Sequence, residues 1–497
     1  MTITSSSTTP TRTETRHYSQ LIGGEWVQAL DGATLEITNP YDDSVFATVP
    51  ASTRADTEQA VRAASAAQKE WAEMLPATKQ QLFLRAADIL ESRTAEIVRA
   101  LAEETGCGAG FAHFQISWSA NLLRQAAGWV YQPNGELLRT DNFHTFATAE
   151  RKPLGVVASF TPWNGAHVLA WRAVVAPLAT GNTVVVKPSE LAPVTAGLLI
   201  GEILTEAGFP KGTVNIVTHS PEAAADVAEE FYENPAVRCI YFTGSANTAR
   251  IIAPKAAAAL KRTVLELGGY NQIIVADDAD LDHAAKTVAF SAFFHQGQIC
   301  MNARRVLVHR TVCAEFTEKL VQLAQQFPQG DPSDPITVIG PLITDGAVQK
   351  TVQAIEDATR AGARVLTGGK ANGRVFEPTV LIDVPANVSL ASEETFGPVI
   401  VVHPIDSDEE GVAMVNEGSY GLSFSVMTAD IGRGINISQQ IDSGAVHVNA
   451  PTINDEPQSP NGGVKDSGWG RSGLSGLDDF TEIRWTTVEM KKRELPL

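Results

Sequence analysis

Residues 237–261 read VRCIYFTGSANTARIIAPKAAAALK. An apolar run ends at Phe242, Thr243-Gly244-Ser245 makes a tight turn, and a helical stretch follows. A continuous apolar strand, unlike an alternating one, is buried on both faces, as in a parallel sheet covered by helices. The same pattern surrounds it. GVVASF (155–160), NTVVVKP (182–188), TVNIVT (213–218) and TVLELGG (263–269) are short apolar runs. VTAGLLIGEILTEAG (194–208) and PEAAADVAEEFYEN (221–234) are helical stretches between them. Strands alternating with helices mean βαβ units and an α/β fold.

A second αβ series begins near Asn271. DLDHAAKTVAFSAFF (280–294), AEFTEKLVQLAQQF (314–327), AVQKTVQAIEDATRAG (347–362) and SDEEGVAMVNEG (407–418) read as helices. RRVLVHR, ARVLTGG, TVLIDV, VIVVHPI, LSFSVMT and GAVHVNA read as strands. At 497 residues the chain is too long for one ordinary core, and domains of roughly 100–200 residues suggest more than one. Two αβ domains meeting near Leu267–Asn271 are therefore expected, and a cleft between domains is a favoured place for cofactor and substrate. Towards the N-terminus, LIGGEWVQ (21–28) and LEITNP (35–40) read as short strands. Residues 55–74 and 77–106 read as two amphipathic helices, the second stopping at Gly106. The first 19 residues, rich in Ser and Thr, read as a flexible tail.

Composition narrows the function. With 38 basic against 57 acidic residues the formal charge is −19, which argues against nucleic acid or an anionic membrane as partner. No apolar run approaches the ~20 residues of a spanning helix, and no apolar signal core opens the chain. Cys107, Cys239, Cys300 and Cys313 form no CxxC pair and fit no zinc framework, so no metal site is expected. Free thiols in a chain of this length suggest a reducing, cytoplasmic compartment.

Gly468-Trp469-Gly470-Arg471-Ser472-Gly473 spells GxGxxG, a dinucleotide pattern. It lacks the preceding strand and following helix that the motif needs, and follows the polar stretch SPNGGVKDS, so it reads as a glycine-rich surface loop. The turn at Ser245 is the better phosphate site, since backbone N–H groups at a helix start attract anions; Ser245 is equally good as a plain N-cap. VVVKPSE places Lys187 and Glu190 at the same sheet edge, where Glu190 either accepts from ribose hydroxyls or is a solvated cap.

Three polar residues sit where loops leave strands: Asn164 after GVVASFTPW, Glu266 in TVLELGG, and Cys300 in FFHQGQICMNARR. A thiolate nucleophile, a carboxylate base and an amide donor for an oxyanion make a complete set for chemistry at a carbonyl carbon. Taken singly, each has a plainer reading, as a core cysteine, a turn cap and a turn residue.

In order along the chain, PWNGAHVLAWRAVVAPLATGNTVVVKPSE, FTGS, ELGG, GQIC, EETFGPV and SGWGR closely resemble the aldehyde dehydrogenase superfamily of NAD(P)-dependent enzymes, over about residues 20–490. The resemblance implies a Rossmann-like parallel-sheet cofactor domain (20–135 and 155–267), a second αβ catalytic domain (268–465) and a β-strand oligomerisation arm (136–154 and 480–497) in a homodimer or homotetramer. It implies Cys300 as nucleophile, Asn164 as oxyanion donor and Glu266 as the base that hydrolyses a thioester. Lys187 and Glu190 would hold the adenosine ribose, Ser245 the pyrophosphate, and Glu394 and Phe396 the nicotinamide end, with Trp163 and Gly268 beside the cofactor. NAD is the expected cofactor and NADP is possible, since Glu190 would repel a 2′-phosphate. Departures from the family pattern are Ala166, Ala249, Tyr270 and Asn461.

Ile299 and Met301 flank Cys300 with apolar surface. With HQGQICM, Arg172 and the loop PTINDEPQ (451–458), they resemble the benzaldehyde and vanillin dehydrogenase branch, so an aromatic aldehyde is the expected substrate and Asn461 part of its pocket. The alternatives are an aliphatic or semialdehyde dehydrogenase, a CoA-acylating relative, which Glu266 speaks against, and a thiol hydrolase pairing Cys300 with His295.

Overall fold

The protein is described from a computed structural model covering residues 15–495. Its largest sheet has eight strands, in the order Gly468–Trp469, Arg262–Leu267, Val237–Gly244, Val156–Thr161, Thr183–Pro188, Val214–Ile216, Gln20–Ile22, Glu25–Val27. The middle five, from Arg262–Leu267 to Val214–Ile216, are parallel, and antiparallel strands close both edges. Every residue of Val156–Thr161 and Thr183–Pro188 is buried, which is why these strands read as unbroken apolar runs.

Gly268, Gly269 and Tyr270 lead from the strand Arg262–Leu267 into Asn271–Val275 of a second, seven-stranded sheet. That sheet is parallel except for its edge strand Arg364–Thr367. A third sheet, antiparallel, joins Gly135–Leu138, Thr145–Pro153 and Thr481–Glu489. On Thr481–Glu489 every residue after Thr481 is exposed. The α/β reading and its parallel sheets are borne out. Among the described residues, no helix is long and apolar enough to cross a membrane.

Four expectations need correction. The tail was expected to run to residue 19, but Arg16–His17 pairs in parallel with Ala47–Thr48; residues 1–14 lie outside the described chain. The stretch 77–106 is two helices, Pro76–Ser92 and Thr94–Thr105, because Arg93 leaves helical geometry; Gly106 does end the second, at φ 69°. A further helix, Ala109–Trp129, was not anticipated; its exposed face carries His113, Ser117, Asn121 and Gly128, and most of the rest is buried. Finally, the GxGxxG stretch is no surface loop. Gly468–Trp469 pairs with Leu265–Glu266 as the edge of the first sheet, and a Cβ on Gly468 would lie 2.1 Å from the Leu265 carbonyl oxygen. The glycines there serve close backbone approach.

Candidate active site

Cys300 sits on a loop built against the grain of the backbone. After the helix Leu281–Phe293 the chain passes through His295 (φ 52°), Gln296 (φ 53°) and Gly297 (φ 71°), three consecutive left-handed residues. Such geometry is strained for non-glycine residues and persists only where surroundings enforce it. Here they do. Gln296 Nε2 donates to the carbonyls of Gly106 (3.0 Å) and Pro341 (3.1 Å). Buried Arg304 donates to the carbonyls of Gly297 (2.8 Å) and Gly397 (3.0 Å). A Cβ on Gly297 would lie 2.1 Å from the Gly397 oxygen, so only glycine fits. Asn302 Oδ1 accepts from the Ile299 N–H (2.6 Å), and Asn271 Nδ2 donates to the Cys300 carbonyl (2.7 Å). The cysteine is thus anchored from both sides by amide side chains.

Asn164 stands where Val156–Thr161 gives way to the helix Ala166–Ala179. Its Nδ2 donates to the Gln298 carbonyl (2.9 Å), which uses one of two amide hydrogens and leaves the other for a ligand. His295 Nε2 lies 2.9 Å from the Asn164 carbonyl, to which it donates. Burial holds that imidazole neutral, down to about 4, and leaves Nδ1 without a partner. His295 therefore locks the loop to Asn164 and is committed elsewhere than the thiol, which removes the support for a Cys–His hydrolase.

Glu266 lies near the end of Arg262–Leu267. Its Oε2 accepts from Arg172 Nη1 (3.1 Å), and its Oε1 is buried with no protein partner. Arg172 also donates through Nη2 to Asp455 and stacks 5.0 Å over the Trp118 ring. Burial pushes the Cys300 thiol up to about 12; the Glu394 carboxylate adds to this and the Arg172 cation opposes it. The resting nucleophile is a thiol, and its proton has to be taken as it attacks.

Asn164, Glu266 and Cys300 line one cavity. Ile299, Met301 and Asn461 line it as well, and Asn461 Nδ2 lies 3.7 Å from the Met301 sulfur. Sequence reasoning passed over Phe111 and Phe114, which lie on the unanticipated helix, and gave no site role to Arg172 or to Asp455, all of which line the same space. The i, i+3 spacing of the two phenylalanines was the only available signal.

The residues expected to meet a dinucleotide lie outside this cavity lining, and several gather at the carboxyl ends of the parallel strands. That edge is where open α/β sheets bind such ligands. Lys187 ends the strand Thr183–Pro188; its Nζ lies 2.6 Å from His219 Nε2, and burial pulls the ammonium down to about 8. Ser245 caps the helix Ala246–Ala258 by accepting from the Thr248 N–H (3.1 Å), so the plain capping role is realised. Glu190 is half-buried beside Ser189. Glu394 Oε1 accepts from the Gly269 N–H (3.3 Å), and a Cβ on Gly268 would lie 2.3 Å from Glu394 Oε2. Phe396, at φ 55°, meets the Trp163 ring edge-on at 5.5 Å. Thr243, at the end of Val237–Gly244, lines the Cys300 cavity, and its Oγ1 is buried without a partner. A helix N-terminus, a buried lysine, a glycine cradle and an unsatisfied hydroxyl along one sheet edge fit a nicotinamide dinucleotide.

A parallel-sheet cofactor edge next to a cavity holding a thiol, an amide donor and a carboxylate defines an NAD(P)-dependent oxidoreductase acting on carbonyl carbon. The chain belongs to the aldehyde dehydrogenase family, whose model matches residues 26–486, and the resemblance drawn from the six motifs is borne out. It is 41% identical over 478 residues to a vanillin dehydrogenase of Pseudomonas fluorescens, covering 96% of this chain and 99% of that protein. Among solved structures it is similar to a salicylaldehyde dehydrogenase from Pseudomonas putida G7 complexed with salicylaldehyde, at 37% identity and TM-score 0.95, with 97% and 100% of the two chains covered. It is also similar to a betaine aldehyde dehydrogenase from Staphylococcus aureus in complex with NAD+, at 30% identity and TM-score 0.93, with 96% of each chain covered.

Proposed function

We propose that this aldehyde dehydrogenase oxidises aromatic aldehydes of the benzaldehyde and vanillin type to carboxylic acids, with Cys300 as nucleophile. The observation that carries the reading is the apolar cavity with Phe111, Phe114 and Ile299 around the Cys300–Asn164–Glu266 set. An aromatic ring buries much surface there at small entropy cost. The vanillin and salicylaldehyde relatives add support.

Cys300 sulfur bonds to the aldehyde carbon as the thiol proton leaves. Glu266 Oε1, buried and unpartnered in the same cavity, is the base for that proton. The carbonyl oxygen, becoming an oxyanion, accepts a hydrogen bond from the spare N–H of the Asn164 amide, a preorganised donor. Lys187, Glu190, Ser245, Gly268, Glu394, Phe396 and Trp163 would hold NAD(P)+, which would supply the hydride acceptor. Loss of hydride from the former aldehyde carbon leaves a Cys300 thioester. Glu266, having passed the thiol proton to solvent, takes a proton from water, whose oxygen attacks the thioester, and gives it to the departing Cys300 sulfur as the acid is released.

Glu190 favours NAD, because its carboxylate would repel a 2′-phosphate. Residues 20–135 with 155–267 form the cofactor domain and 268–465 the catalytic domain. The exposed strand Thr481–Glu489, with Ile483 and Trp485 on its surface, supports the third sheet as an arm joining a homodimer or homotetramer. Four free thiols support a cytoplasmic setting. The test is kcat/KM for benzaldehyde, vanillin, succinate semialdehyde and hexanal, each with NAD and NADP. The aromatic aldehydes with NAD should lead; strong preference for the semialdehyde would overturn the reading.

A further inference from the structure

Among the polar groups lining the cavity around Cys300 that the reaction does not use, Asp455 is the acidic one. Asp455 lies on the 451–458 loop, its side chain only 5% exposed. Asp455 Oδ2 accepts from Arg172, whereas Oδ1 is buried and has no partner. A buried carboxylate oxygen left without a donor is costly, and native proteins keep few of them. The loop that carries it is pinned: the Thr452 N–H donates to Ser291 Oγ (3.2 Å), and Ser423 Oγ donates to the Thr452 carbonyl (2.7 Å). Asp455 is therefore an acceptor held in place in an otherwise largely apolar pocket.

The charge balance points the same way. One guanidinium, Arg172, serves two carboxylates, Glu266 and Asp455. With both ionised the cluster carries an excess negative charge; burial pushes the Asp455 carboxyl upward, while Arg172 and the Asn461 side chain favour its charged form. A second anion brought here would be repelled with little water to screen it. A neutral O–H donor would be welcomed.

We propose that Asp455 determines specificity by accepting a hydrogen bond from the phenolic hydroxyl of a hydroxybenzaldehyde, and that the same charge excludes aldehydes bearing a carboxylate. This rests on the aromatic-aldehyde reading of the cavity. Arg172 is a positioning residue, holding Asp455 and Glu266 at the two sides of one guanidinium.

The test compares kcat/KM for benzaldehyde, the three monohydroxybenzaldehydes and 4-carboxybenzaldehyde in the wild type, Asp455→Ala and Asp455→Asn. Each rate is divided by the benzaldehyde rate of the same variant, so any effect passed through Glu266 cancels. A charge-assisted hydrogen bond is worth roughly tenfold or more. Asp455→Ala should lower the ratio for at least one hydroxy isomer by that amount, and Asp455→Asn should raise the ratio for 4-carboxybenzaldehyde. A change under threefold for all three isomers in Asp455→Ala overturns the proposal. If that variant does not fold, Asp455→Asn decides: no rise for the carboxylate overturns it. Failure of the underlying reading looks different, because the wild type would then prefer hexanal or a semialdehyde to every benzaldehyde.

Discussion

The Cys300 thiol should resist alkylation far more than its surface accessibility suggests. Burial, with Glu394 adding and Arg172 subtracting, pushes it up to about 12. At pH 8 a thiol of that kind is about one part in ten thousand thiolate, whereas an ordinary cysteine near 8.5 is about one quarter thiolate. The cofactor-free enzyme should thus react with iodoacetamide at Cys300 about two thousandfold more slowly than a free thiol at pH 8. The sign follows directly: the reactive form gains as pH rises, so the logarithm of the rate should climb with unit slope from pH 6 to 10 without a plateau. Peptide-level mass spectrometry separates Cys300 from Cys107 and Cys239, which are buried, and from half-buried Cys313. Glu394→Gln removes the leading charge that opposes the thiolate and should speed labelling several-fold. A plateau at or below pH 8 in the wild type would refute the reasoning, since it would mean the site stabilises the thiolate without help.

Gly297→Ala should collapse turnover while leaving cofactor binding near wild type, because the new Cβ meets the Gly397 oxygen in a backbone conformation worth about 1–3 kcal/mol of strain; kcat and NAD titration in parallel check this. Arg172→Met keeps most of the stem but strands Glu266 and Asp455 without their cation. Breaking such a buried pair costs roughly 3–5 kcal/mol, so the melting temperature and the urea midpoint should both fall clearly. An unchanged urea midpoint would show that the two carboxylates find other partners.

The parts of the fold visible in the sequence were those with local causes. Strands buried on both faces carry their own signature, and Val156–Thr161, Thr183–Pro188 and Val237–Gly244 were all readable. So was the stop at Gly106, where a left-handed residue is needed. The helix Ala109–Trp129 was not picked out, although His113, Ser117, Asn121 and Gly128 recur at helical spacing along its exposed face. Nor was the break at Arg93, where no glycine or proline marks the bend. The GxGxxG stretch misled because its partner, Leu265–Glu266, lies two hundred residues away in the chain and two paired residues make no pattern.

The same division runs through the site. Asn164, Glu266 and Cys300 announced themselves by chemical type at strand ends, and the ordered motifs supplied the grouping. The ion pair of Arg172 with Asp455 spans a separation of 283 residues, and no local pattern reports it. His295 illustrates the converse: its closeness in sequence to Cys300 suggested a catalytic pair, yet the left-handed turn at 295–297 hands its imidazole to the Asn164 carbonyl.

The most direct test of the mechanism is Glu266→Gln given benzaldehyde and NAD in a rapid-mixing instrument. The variant should release at most one equivalent of NADH per subunit, and slowly, because the thiol proton has lost its base. It should then stall with a benzoyl group on the peptide that carries Cys300. Unimpaired steady-state turnover, or an acyl group on any other residue, would contradict it.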